Sequence, residues 1–144
     1  MILADEEATA ELGGALARSA RAGDVIALSG ALGAGKTTLA RGFLATLGHV
    51  GEVPSPSFAI VQPYEDLSPA VWHVDMYRIE DPLEIEELGL SAAVDGVLLI
   101  EWPERAGGEV WPEALRLRLD VGPNGDRILT AKVPPSWEDR WPPK

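Results

Sequence analysis

Residues 30–37 read Gly-Ala-Leu-Gly-Ala-Gly-Lys-Thr, so that four residues separate Gly30 from the run Gly35, Lys36 and Thr37. Glycines at this spacing let the backbone curl until successive N–H groups converge on phosphate oxygens. A helix that starts at once presents its positive N-terminus to the same anion. Lys36 adds a charge for the β- and γ-phosphates, and the Thr37 hydroxyl completes a Mg²⁺ shell. An accidental match to this pattern in a chain of this composition is a roughly one-in-several-hundred event. Mg²⁺ at such a loop also needs a carboxylate from the tip of a neighbouring strand, because the metal sits beside the phosphates. Two acids qualify. Glu101 ends "VLLIE", four apolar residues and then an acid, as expected at the tip of a buried parallel strand. Asp75 ends the less apolar "VWHVD". One would serve the metal, and the other its water shell or an attacking water.

These residues need elements to hold them. "DVIALSG" is an apolar run of strand length before the loop, and "KTTLARGFLATLG" has helical apolar spacing after it, closed by Gly48. Ahead of both, a helix is expected over about residues 6–21, with acids at its start and Arg18 and Arg21 near its end. "VPSPSF" reads as an irregular connection, and "FAIVQPY" and "AVWHVDMY" as strands. "EDPLEIEELG" carries its own helix signals, with Asp81 as cap, Pro82 first in the helix and Gly89 at its end. "GVLLIEW" is the most apolar strand, and "LRLRLDV" and "RILTAKV" flank the turn "GPNGD" as a hairpin. The expected fold is a single α/β domain over residues 1–133. It is of the P-loop NTPase type, a mostly parallel sheet flanked by helices with a C-terminal antiparallel hairpin. Residues 134–144, with four prolines, read as a tail without regular structure.

Composition narrows the chemistry. No cysteine is present, which removes disulfides and thiolate metal sites, and His49 and His73 alone make a histidine metal site thin. No apolar run is long enough to cross a bilayer and the acidic start does not suit a signal peptide, so a cytoplasmic protein without membrane contact is expected. A net charge of −11 repels polyphosphates from the average surface. One of only three lysines nevertheless stands in the loop. Arg116 and Arg118 are the nearest approach to a basic stripe, and Asp120 follows two residues later, so strong direct tRNA binding is not expected.

A GTPase would carry an Asn-Lys-x-Asp motif and an Asp-x-x-Gly switch; neither occurs. A small kinase would need an arginine-bearing lid, and the nine arginines are scattered. An ATPase, a nucleotide-gated binding protein without useful turnover and a small P-loop kinase all remain open on these residues.

Taken in order, "GALGAGKTT", "SPSFAIV", "HVDMYRI", "DPLEIEELG" and "LIEWPE" closely resemble the TsaE (YjeE) family of small bacterial ATPases, from about "DEEAT" to "DRILTAKV". That family assists threonylcarbamoylation of the adenosine next to the anticodon in tRNA. The resemblance implies ATP and Mg²⁺ as cofactors, slow hydrolysis, and action on a TsaB–TsaD complex. It matches Gly33, Ala34, Gly35, Lys36, Thr37 and Thr38 to the phosphate-binding run, and Thr37 and Glu101 to the metal ligands. It also matches Asp75 and Arg78 to an "HxDxYR" element, and Trp102 to the aromatic after the acid. Ser57 stands where the family often has threonine in a switch-like "SPT" segment and keeps the hydroxyl. Glu6 and Arg127 match positions near the nucleotide edge. Ala31 departs from the usual aspartate without removing any backbone donor.

Overall fold

The structure is a computed structural model that describes residues 1–31, 33–53, 61–81, 95–106 and 111–143. Its strands are β1 (Ile2–Leu3), β2 (Val25–Ser29), β3 (Val61–Tyr64), β4 (Val71–Asp75), β5 (Val97–Glu101), β6 (Leu115–Val121) and β7 (Arg127–Lys132). Its helices are α1 (Glu6–Ser19) and α2 (Lys36–Thr46), with short 3₁₀ turns at Pro103–Ala106 and Pro135–Trp137.

The strands form one sheet in the order β1-β7-β6-β2-β5-β4-β3. β6, β2, β5 and β4 run parallel at its centre, and the antiparallel pairs lie towards the two edges. This is the mixed α/β sheet with a C-terminal hairpin that the residue patterns call for. β5 is buried at all five positions, as its continuous apolar run requires of a central parallel strand. Pro63 interrupts β3, which sits on an edge where a missing N–H is tolerated.

Alternation along the strands divides the apolar side chains between two faces. Ile26, Leu28, Leu99, Leu115 and Leu117 pack with α1 and α2, whereas Val74, Leu98 and Ile100 form a smaller cluster with Met76 and Ile79. The helices cross at glycines. A methyl group on Gly42 would lie 2.0 Å from the Ala10 carbonyl oxygen, and one on Gly13 would lie 2.1 Å from that of Leu39. Asp5 caps α1 by accepting from the Ala8 N–H at 2.8 Å. The helix ends two residues before its expected limit, because the Asp24 carboxylate takes the Arg21 N–H at 2.7 Å and turns the chain into β2.

Two elements differ from expectation. β1 was not anticipated; two residues carry no periodicity, and the strand exists through its pairing with β7. The C-terminal stretch is not an irregular surface tail. Trp137 is fully buried in the helix-side core, and Arg140 donates to both oxygens of Asp24 at 2.7 and 3.1 Å. The prolines signal irregular backbone, but burial of one large aromatic side chain outweighs that signal. The helix expected in "EDPLEIEELG" lies outside the described residues, which include only its expected cap Asp81 and the preceding Glu80.

Candidate active site

β2 leaves the sheet at Ser29, and the loop of residues 30–35 returns the chain into α2 at Lys36. A side chain at Gly30 would meet the Leu119 carbonyl oxygen at 2.3 Å, so β6 admits only glycine there. Gly35 precedes α2 with φ +110, and no side chain caps the helix. First-turn N–H groups without a side-chain partner are the feature from which anion sites at helix N-termini are built.

Lys36 is 5% exposed and folds back under the loop. Its Nζ donates to the Gly30 and Ala31 carbonyls at 2.6 and 2.9 Å and lies 4.3 Å from the centre of the Trp102 ring. Burial holds the ammonium below its ordinary pKa of 10.5, opposed by the charges of Glu101, Glu104 and Asp75. Arg127, delivered by the β6–β7 hairpin, braces the loop from outside. Its Nε donates to the Ala34 carbonyl at 2.9 Å and its Nη2 to that of Gly33 at 3.2 Å.

The two acids stand side by side. Asp75 and Glu101 are register partners at the ends of parallel strands β4 and β5, 5% and 3% exposed. The Thr37 hydroxyl donates towards Glu101, 3.3 Å from Oε1 and 3.4 Å from Oε2. Adjacent ligands of an octahedral Mg²⁺ lie about 3 Å apart, so this pair of oxygens suits a hard cation. Among the described residues no cluster of three His, Asp or Glu side chains builds a closed cage. Asp75 Oδ1 accepts from the Tyr77 N–H at 2.8 Å. Trp102 follows Glu101 with φ +59, a backbone region a bulky residue rarely adopts, and its ring meets that of Tyr77 at 4.9 Å.

A cavity of about 290 Å³ opens above the loop. It brings together Glu6, Gly33, Gly35, Lys36, Thr37, Thr38, Asp75, Glu101, Trp102 and Arg127. Ala34 lies beneath, 1% exposed, with its carbonyl taken by Arg127. Ser57 lies outside the described residues, and Arg78 is not among the residues lining the cavity. Residue patterns did not single out Asp5, Thr9 and Gly125, which also line it, or His73, which bonds Glu101. The signal for His73 was present in "HVD": two residues before an acid at a strand tip places it on that acid's face.

An α/β sheet whose central strand passes through a Gly-x-x-x-x-Gly-Lys-Thr loop into a helix, beside two carboxylates at parallel strand tips, has the fold of the phosphate-loop class. Residues 3–128 match the family model described as "Threonylcarbamoyl adenosine biosynthesis protein TsaE", and the chain belongs to that family. It is 44% identical over 129 residues to the tRNA threonylcarbamoyladenosine biosynthesis protein TsaE of Streptomyces coelicolor, across 85% of this chain and 87% of that one. The protein of the same name from Bacillus subtilis is 39% identical over 113 residues, across 77% and 70% of the two chains. The crystal structure of Bacillus subtilis YdiB superimposes with a TM-score of 0.81 at 29% identity, over 96% of this chain and 87% of that chain.

Proposed function

We propose that this chain binds ATP with Mg²⁺, hydrolyses it slowly, and supports formation of N6-threonylcarbamoyladenosine in tRNA by acting on a TsaB–TsaD complex. The observation that carries the reading is the convergence of Lys36, Thr37 and Glu101 at one cavity above the glycine loop. The pathway follows from the family, which is one of threonylcarbamoyl adenosine biosynthesis proteins.

When bound, Mg²⁺ draws charge from the β- and γ-phosphate oxygens. The chain's own work is placement and charge. Backbone N–H groups of residues 33–38 orient the phosphates, and Arg127 keeps that backbone in place through the Gly33 and Ala34 carbonyls. Lys36 brings a positive charge to a largely buried position, where its effect on a developing negative charge is strong. Thr37 and Glu101 present two oxygens to the cation, and Asp75 beside them orients water. Ser57, in a segment expected to act as a switch, offers a hydroxyl for the metal or the γ-phosphate.

The chain reaches tRNA through its protein partners. Arg118 is paired with Asp120, which lowers the charge available to phosphates on that hairpin. The deciding experiment measures ATP binding and phosphate release with and without TsaB–TsaD. Mg²⁺-dependent binding and slow release, accelerated by the complex, are expected. Absence of ATP binding would overturn the reading, and ADP formed without free phosphate would point to a kinase. Micromolar tRNA binding by the isolated chain, weakening steeply with salt, would overturn the indirect route.

A further inference from the structure

We propose that His73 is a positioning residue for Glu101, holding one carboxylate oxygen so that the group keeps its place beside Thr37 and the cation those two residues hold. The inference rests on the Mg²⁺–ATP reading and adds to it a residue outside the cavity wall.

The imidazole is fully buried on β4, and its Nε2 lies 2.6 Å from Glu101 Oε2. The register explains the contact. Asp75 stands opposite Glu101 and His73 opposite Leu99, so His73 is one diagonal step from Glu101 on the same face of the sheet. A carboxylate has only lone pairs to offer, so the proton of this bond sits on Nε2. Nδ1 is buried without a hydrogen-bond partner among the described residues.

This asymmetry argues against a filler role. Apolar residues such as Leu99 and Val71 occupy neighbouring buried positions, and an apolar side chain at 73 would leave no orphaned nitrogen. What the imidazole supplies is a rigid N–H aimed at Glu101. Thr37 supplies the other contact to that carboxylate, 3.3 Å from Oε1 and 3.4 Å from Oε2. A cation would take a lone pair of the Thr37 hydroxyl, whose O–H rotates freely, whereas the ring N–H of His73 is fixed and holds the orientation of Glu101. Hydrogen-bonded partners of metal-binding carboxylates act in this way, and their loss weakens metal binding about 10- to 100-fold.

The test compares wild type, His73→Leu, His73→Gln and His73→Asn. Calorimetry gives ATP affinity in EDTA, and Mg²⁺ titration of the ATP-loaded protein gives the Mg²⁺ concentration at half-saturation. His73→Leu should need about 10- to 100-fold more Mg²⁺ while its ATP affinity in EDTA stays unchanged. His73→Gln, whose amide N–H falls where Nε2 does, should recover most of the loss. His73→Asn, which ends at the Nδ1 position, should not. Unchanged Mg²⁺ affinity in His73→Leu overturns the inference, as does an equal loss of ATP affinity with and without Mg²⁺. A wild type that binds ATP equally in Mg²⁺ and in EDTA overturns the Mg²⁺–ATP reading itself, and this inference with it. Should the variants not fold, ¹⁵N NMR of the wild-type imidazole in the Mg²⁺–ATP complex decides. A proton on Nε2 with Nδ1 bare supports the inference, and the reverse tautomer overturns it.

Discussion

Lys36 and Arg140 are both held at the ends of β2, each against the ring of a tryptophan, yet they are held in different ways. Arg140, at the start of the strand, meets its counter-charge directly. It is bonded to both oxygens of Asp24 and to the Ser19 and Ser136 carbonyls, with its guanidinium 3.9 Å from the centre of the Trp137 ring. Lys36, at the other end, is bonded to two neutral carbonyls, and burial lowers its pKa although three carboxylates oppose the shift. A cation bonded to its carboxylate has its charge compensated and serves the fold. A buried cation bonded to neutral groups burdens the ligand-free fold, and the charge becomes useful when an anion arrives.

The contrast breaks most sharply at Lys36. Lys36→Ala should lower ATP turnover by about 10³-fold or more while leaving a folded protein, checked by phosphate release and circular dichroism. Equal turnover in a folded variant would mean that the loop is not a phosphate site. Arg140→Ala should do the reverse. Leaving the half-buried Asp24 with only the Arg21 N–H costs about 3 kcal/mol of stability, read as a lower denaturant midpoint, with ATP affinity in the folded protein unchanged.

Between the acids the expected effect is smaller. Glu101→Ala should impair hydrolysis about 10²-fold, and Asp75→Ala less, because Glu101 ends the fully buried central strand and contacts Thr37 and His73. Steady-state rates at saturating Mg²⁺ check the ranking, and a far larger defect in Asp75→Ala would reverse it. The smallest effect concerns pH. The charged form of Lys36 bears a burial cost in the folded chain that it does not bear in the unfolded one. As pH rises through the lowered folded pKa towards the ordinary value of 10.5, the unfolded chain holds more protons and the fold gains stability. Lys36→Met should therefore melt higher than wild type near neutral pH, with the gap closing as pH approaches 10.5, measured by ligand-free thermal unfolding.

Much of the site was readable because its main parts are local. The loop lies within eight consecutive residues, and glycine, lysine and threonine are required there by backbone conformation and charge wherever the loop sits. β5 was readable from an unbroken apolar run ending in an acid, and α1 from its acidic start and the arginines near its end. The C-terminal stretch was misread for the opposite reason. Its prolines act locally, whereas the burial of Trp137 depends on the core of residues far earlier in the chain.

The sequence by itself determined a strand, a phosphate-type loop and a helix in succession, two acids at strand tips, a closing hairpin, and a charge that disfavours direct contact with nucleic acid. These follow from periodicity, turn chemistry and composition, which act over a few residues or over the whole average. Only the tertiary structure decided that His73 bonds Glu101 across 28 residues, that Arg127 braces a loop more than 90 residues earlier, and that β1 closes one edge of the sheet. Those contacts depend on strand order and register. A single-residue slip would turn His73 and Asp75 to the opposite face, and nothing in the local pattern of β4 states which strand will lie beside it.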